Sequence, residues 1–318
     1  MVVDGRSLAG DTGEAFVTGL GSLLTEPTSA ASGAGLRLDQ EIAGLDALEL
    51  HDERRRSRLV QAWSAAWPKL AAVALGLAIW QAVVWLKWKP EYALPGPAKV
   101  FTQLGHDMSK RAFYEAVVTT MVRAAKGYSL AVLIGSLVGA AVARVRVLRT
   151  AVGSLITGLQ TMPSIVWFPL AVLLFKLSEG AIAFVVVLGA APSIANGLIA
   201  GVDHVPPLLL RAGHTLGAGR FGLFRHVILP ASVPSYLSGL KQGWAFAWRS
   251  LMAGELIVNF GKPSIGARLD SARQLSDAPD LIATMIVILV IGLAVDAVFS
   301  RLDLSVRTRR GLVSTTGR

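Results

Sequence analysis

An almost unbroken apolar run, Leu70 to Leu86, lies between Trp67 and Trp88, and no soluble domain has a place for it. Tryptophans at both ends suit the two membrane–water boundaries, so this stretch is the first expected span. Runs of the same kind recur along the chain. The second covers about Ala124 to Ala143 and stops at Arg144, Arg146 and Arg149, while the third covers about Ala151 to Phe175 with Pro163 and Pro169 inside it. The fourth, about Ala181 to Val202, carries Pro192; the fifth runs about Pro234 to Val258 and the sixth about Leu281 to Phe299. The pattern predicts an all-α polytopic membrane protein with about six transmembrane helices. Composition agrees, since 53% of residues are hydrophobic and only 16% charged, against about 25% charged in soluble domains.

Charge then sets orientation. The net charge of +10 raises the question of nucleic acid, but the basic residues cluster beside apolar runs, where they fix topology. Arginine runs at 54–58, 144–149, 211–225 and 301–310 place both termini and the connection after the fourth span in the cytoplasm; Lys87, Lys89, Lys99, Lys110 and Arg111 run against that bias. The absence of cysteine excludes a disulfide framework, a thiolate zinc site and a cysteine nucleophile. His106, His204, His214 and His226 are dispersed without metal-ligand spacing, and neither a metal nor a bound cofactor is expected.

Three regions follow. Residues 1–64 read as a cytoplasmic, largely disordered leader, with Leu38, Ile42 and Leu45 at helical spacing as the alternative of a short amphipathic helix. Residues 65–305 form the transmembrane domain, and 306–318 a basic cytoplasmic tail. Prolines inside spans three and four would strand backbone carbonyls in lipid, so those segments face protein or a water-filled path. Gly135, Gly139, Gly189 and Gly197 allow close helix packing, and Gly135 and Gly139 have the spacing of a small-residue contact.

The stretch 203–230 between spans four and five is no ordinary loop. It reads as two short helices: Asp203 or His204 before Pro206-Pro207 suits a helix start, and Gly217 and Gly219 permit a sharp bend. Phe221, Phe224, Val227 and Ile228 then repeat at helical spacing until Pro230 ends the run. A basic helix-turn-helix of this kind is a handle for another protein.

The spacing Ala212 to Gly217, then nine residues to Val227, then Leu229-Pro230, resembles the EAA loop of binding-protein-dependent ABC importer permeases. The resemblance extends over about residues 65–305. Leu94-Pro95-Gly96-Pro97, Gln160-Thr161-Met162-Pro163-Ser164, Ala191 to Asn196, and Gly261 to Gly266 are similar to the nitrate, sulfonate and taurine branch. It implies a type I ABC importer permease fold, two copies of the chain around a central pathway, cytoplasmic ATPase subunits that bind the ATP, and an external solute-binding protein. It further implies that Arg211, Ala212, Gly213, Gly217, Val227, Leu229 and Pro230 couple the chain to the ATPase. Two positions depart from the family: Arg211 stands where it has Glu, and Gly213 where it has Ala. Either the partner carries an acidic residue opposite Arg211, or the position tolerates both signs.

Within the fifth span, Lys241, Trp244, Trp248 and Glu255 fall along one helical face, with Arg249 about a quarter turn away. A cationic, indole-lined face suits an oxyanion through charge-assisted hydrogen bonds. The alternative is structural: Lys241 snorkels to the inner surface, Glu255 lies near the outer one, and Arg249 bonds a carbonyl or carboxylate. Ser164, Gln160 and Thr161 of span three and Ser193 and Asn196 of span four either line the same channel or bond neighbouring helices.

No Gly-x-x-x-x-Gly-Lys-Ser/Thr loop is present, so the chain is expected to be a non-catalytic subunit whose ATP is hydrolysed elsewhere. A gradient-driven transporter would call for inverted repeats and paired intramembrane carboxylates, and a membrane enzyme for a nucleophile with its base. Neither reading accounts for the 203–230 segment. Aliphatic sulfonates are the expected cargo, with nitrate or taurine as the alternative.

Overall fold

The structure, a computed structural model, describes residues 58–258 and 261–310. The leader expected over 1–64 therefore lies outside the described residues except for 58–64, which form the first turns of a helix. The chain divides into two compact units at residues 77 and 78. Helix α1 (Arg58–Trp85) runs through that boundary. In the first unit its Trp67, Leu70, Val73 and Leu75 are exposed, as a lipid-facing helix requires.

The second unit continues with α2 (Pro97–Met108), α3 (Arg111–Arg144), α4 (Arg146–Thr161), α5 (Phe168–Phe175) and α6 (Glu179–Asp203). After α6 come α7 (Pro207–Thr215), α8 (Arg220–Leu223), α9 (Leu229–Ile257), α10 (Ile265–Gln274) and α11 (Ala278–Arg309). No strand occurs among the described residues. Helix α6 is the centre: it packs along α3 on one side and α9 on the other. Ile182, Val186, Ala190 and Ile194 of α6 meet Ala124 and Ala131 of α3, and Trp244, Ala247, Trp248 and Leu251 of α9, in one core. A helix apolar on every side must be enclosed by others, and α6 is that helix.

Small residues set the close approaches. A methyl group at Gly135 would lie 2.7 Å from the Ala191 carbonyl oxygen, and one at Gly139 would lie 3.0 Å from the Ala195 backbone. One at Gly197 would lie 2.6 Å from the Cα of Gly239 on α9. Backbone thus meets backbone on both flanks of α6.

By length and composition, α1, α3, α6 and α11 can cross a membrane, and α4 with α5, bent through 102° at the break, forms either a fifth, broken span or a re-entrant loop. The third span is thus not one straight helix. Pro163 sits in the break ahead of a 3₁₀ turn at Ser164–Trp167, and Pro169 lies in the first turn of α5, where its missing N–H has no partner to lose. Helix α9 is long enough to cross but too polar to join that set, with serines, glycines, prolines and Gln242 along it beside Lys241, Arg249 and Glu255.

Two of those charges are neutralised by the fold. Glu255 is fully buried and accepts from Arg123 Nη1 of α3 at 3.0 Å, Thr120 Oγ1 at 2.8 Å and the Gly266 N–H at 3.1 Å. Lys241 donates to Ser300 Oγ at 2.8 Å and pairs with Asp296 at 3.4 Å on α11. At the same end as Glu255, Arg268 of α10 bridges Asp107 of α2 and Asp280 of α11 and clamps three helix ends together.

Candidate functional site

The stretch between α6 and α9 folds into an elbow. Asp203 and His204 end α6, and the new helix starts beyond them with Pro206 as its cap and Pro207 at its first position. The expected start at Asp203 or His204 is displaced because the His204 N–H still donates to Ala200 at 3.0 Å and completes α6. Helix α7 closes at Gly217, whose φ of 76° only glycine adopts without strain. There the Ala218 N–H donates to the Gly213 carbonyl and the Gly217 N–H to the His214 carbonyl, both at 3.0 Å, so the last carbonyls of α7 are satisfied.

The second arm differs from its sequence reading. From Arg220 the chain stays helical through α8 and a π turn at Phe224–Ile228 directly into α9. Pro230 therefore does not end the run. The Leu229 N–H donates to the Phe224 carbonyl across the widened turn, and Pro230, without an N–H, falls in the next turn. The second arm is thus a helical continuation of α9.

Gly213 is the contact between the arms. It is buried, and a methyl group there would lie 2.5 Å from Leu223 Cδ1 and 3.4 Å from Val227 Cγ2. Arg211 and Ala212, the two residues before it on α7, are exposed. Leu208, Leu216 and Phe221 are more than 70% exposed, and Arg211, Arg220 and Arg225 stand among them. From 204 to 254 the chain has no Asp or Glu, so this apolar and basic surface has no acidic residue of its own segment to neutralise it. The base of the elbow is tied to the bundle at three points. Arg144 of α3 stacks over the Phe224 ring at 4.7 Å, Arg149 of α4 pairs with Asp203 at 2.6 Å, and Arg310 donates to the Pro230 carbonyl.

The interior polar residues separate into three places. Asn196 donates to Gln160 Oε1 at 3.1 Å, and Gln160 donates to Ser193 Oγ at 3.2 Å, which links α4 to α6. These three residues line a cleft of about 300 Å³ with Ser238 and Gln242 of α9 and Arg307 of α11. Ser164 lies elsewhere, accepting a 2.7 Å bond from the buried Ser250. Trp244 and Trp248 stack at 6.0 Å within the core, where Tyr128 and Phe299 meet Trp244 edge-on or tilted. They face α11, not the polar cleft, and line a second cleft together with Arg249, so the expected cationic, indole-lined face is one surface while Asn196 and Ser164 lie apart from it. Arg249 is exposed, with its guanidinium 5.6 Å from the Phe246 ring. This second cleft, apolar and of about 480 Å³, lies between α9, α10 and α11.

Two features were missed in the sequence. Arg307 is hidden there among the arginines that end α11, and nothing local marks it as facing the cleft. The Arg123–Glu255 pair joins residues far apart in sequence; only the rarity of charge inside apolar spans pointed to either partner.

Residues 131–308 match the family model described as binding-protein-dependent transport system inner membrane component. A putative ABC transporter permease protein of Methanocaldococcus jannaschii is 30% identical over 232 residues, covering 72% of this chain and 86% of that protein. The taurine transport system permease of Escherichia coli is 27% identical, covering 70% and 82%, and the bicarbonate transport system permease of Synechococcus elongatus is 26% identical, covering 64% and 77%. Among solved structures, a chain of an inward-facing MetNI methionine ABC transporter superposes with a TM-score of 0.53 at 16% identity, covering 61% of this chain and 96% of that one. The fold is thus that of type I ABC importer permeases, and the chain belongs to the family of inner-membrane permease components of binding-protein-dependent ABC transport systems.

Proposed function

We propose that the elbow at 203–230 is the seat of a cytoplasmic ATPase subunit, and that two copies of this chain form a pathway carrying a small oxyanion into the cell, most readily an aliphatic sulfonate. A solute-binding protein would deliver the cargo at the α2 and α10 end, with both termini cytoplasmic. One observation carries the reading: the two arms of the elbow, the second continuous with α9, present exposed Leu216 and Phe221 beside Arg211, Arg220 and Arg225. An exposed apolar patch rimmed by like charge is what a protein partner covers. ATP-driven closure of two motor subunits would draw the elbows together and rock each α9 against α6. No covalent chemistry is required of this chain.

The cargo class draws support from relatives named for taurine and bicarbonate transport, both solutes with an anionic oxygen group. A relative named for riboflavin transport is 27% identical, so choice among solutes rests mainly with the binding protein. Nitrate and taurine are the nearest alternatives to sulfonates. Ligand screening of a binding protein encoded beside this chain tests the cargo. For the elbow, Leu216→Cys places one reactive thiol in a chain without cysteine. It should cross-link to an ATPase subunit and resist a membrane-impermeant thiol reagent added outside cells. Labelling from outside, or no adduct with the ATPase, ends the proposal.

A further inference from the structure

One face of α9 is covered by neither neighbour. Gly239, Gly243 and Ser250 turn toward α6, while Lys241, Trp244 and Trp248 turn toward α11. Between them lie Ser235, Ser238, Gln242 and Arg249, which 100° per residue brings within about 80° of one another over about 21 Å of helix. Each is exposed or half-buried. A stripe of hydroxyl, amide and guanidinium groups on a membrane helix belongs against water or protein, not lipid.

At the elbow end this stripe enters the 300 Å³ cleft, whose other walls are Gln160, Asn196 and Arg307. The Arg307 Nε donates to both oxygens of Asp303 at 2.9 Å, and its Nη2 donates to Ser238 Oγ at 3.2 Å. Asp303 thus holds the guanidinium through Nε, Ser238 takes one N–H of Nη2, and the Arg307 side chain lines the cleft. Asp303 also offsets the charge, so an anion is held by directed N–H donors without being trapped. No carboxylate lines the cleft among the described residues; Asp303 is engaged by Arg307, and Asp296 by Lys241 on the other side of α9.

We infer that this cleft is an anion-holding site on the release side of the pathway, with Arg307 as its charged donor and Gln160, Asn196, Ser238 and Gln242 completing the shell for a compact sulfonate-like head group. The inference rests on the permease reading and assigns it a cargo sign within this chain. Arg307 is a specificity-determining residue, and selection of anions continues after the binding protein has let go.

The full-length chain in lipid nanodiscs, without ATPase or binding protein, is titrated with trifluoromethanesulfonate and followed by ¹⁹F line broadening. Broadening should be reversed by methanesulfonate and not by dimethyl sulfone, which has similar size and no charge. Arg307→Gln should weaken binding roughly tenfold, as loss of a charge-assisted bond implies. Gln242→Glu alters only an exposed side chain and should abolish binding by placing a carboxylate in the cleft. Broadening that survives both substitutions, or that dimethyl sulfone reverses equally, overturns the site. Assembly with the ATPase is scored separately through Leu216→Cys, so a failed elbow and a failed cleft give different patterns.

Discussion

Arg123 of α3 and Glu255 of α9 meet at 3.0 Å inside the helix bundle, the carboxylate fully buried and the guanidinium side chain 7% exposed. The pair ties α3 and α9 together across the end of α6. Glu255 also accepts from the Gly266 N–H, and Thr120 Oγ1 accepts from the Ile265 N–H, so the start of α10 hangs on the same cluster. Arg123 Nη2 also reaches Glu179 of α6 at 3.5 Å, so loss of Glu255 leaves the guanidinium one half-exposed partner and costs less than the ~3–5 kcal/mol of a buried charge stripped of its pair. Glu255→Ala should therefore lower the midpoint of thermal unfolding in detergent. Arg123→Met combined with Glu255→Met should recover part of the loss, though not all, because the Gly266 N–H and the Thr120 hydroxyl lose their acceptor. A double variant as unstable as the sum of the singles would show the two side chains to be independent.

Gly197 and Gly239 bring α6 and α9 into backbone contact. A methyl group at Gly239 would lie 2.7 Å from the Cα of Gly197 and 2.9 Å from the Ser193 carbonyl oxygen, atoms that cannot rotate away. Gly239→Ala should separate the helices at a cost of about 1–3 kcal/mol. Gly153→Ala, where a methyl group meets nothing within 4 Å, should leave stability unchanged or slightly improved. Equal stability of the two variants in a thermal melt would mean that the α6–α9 contact is loose.

Much of this was legible in the sequence, for identifiable reasons. Apolar length located α1, α3, α6 and α11, because a span must be about that long whatever it packs against. Only α6 was bounded within a few residues: α1 and α3 begin well before their apolar runs, and α11 continues well past its own. Small-residue spacing pointed to Gly135, Gly139 and Gly197 as close contacts, and all three meet another helix. Continuity was harder. Pro230 reads as a terminator, yet a π turn carries the helix past it, and local pattern does not distinguish a stop from a widened turn. The groups expected along one channel were sorted by tertiary packing: Asn196 went to the polar cleft and Ser164 to Ser250, while Trp244 and Trp248 share a second cleft with Arg249. The elbow residues kept their order because local chain geometry places them, whereas the cleft needed α4, α6, α9 and α11 at once.

At the elbow, the family has Ala where this chain has Gly213, and the geometry says what each can do. The nearest atom to an added methyl group is Leu223 Cδ1, the far end of a side chain that can change rotamer. Gly213→Ala should cost under about 1 kcal/mol and keep association with the ATPase subunit. Gly213→Val adds branches toward Val227 and should part the two arms and reduce co-purification of the ATPase. A second change, Leu223→Ala, should restore it by vacating the contested space. Full co-purification with Gly213→Val alone would rule out arm-to-arm packing as the source of the elbow's shape.

Asp107 and Arg268 give the opposite end of the molecule a dependence on acidity. Asp107 lies in α2, 2% exposed, and accepts from Lys110 at 3.3 Å while Arg268 of α10 pairs with its other oxygen. Burial works against its charge, yet Arg268 and Lys110 together outweigh that and hold the carboxyl below its ordinary 3.8. A carboxylate whose folded value is depressed contributes stability that is full above the unfolded value and lost as pH falls through the folded one. The clamp between α2 and α10 should therefore hold at neutral pH and weaken below about pH 4. Asp107→Asn should lower the thermal midpoint at pH 7 and flatten its decline under acid, while Lys99→Gln, which removes only an exposed pair with Glu91, should do neither. Thermal melts of the three proteins between pH 7 and pH 3 decide the matter: parallel curves for wild type and Asp107→Asn would place the acid-sensitive contact elsewhere.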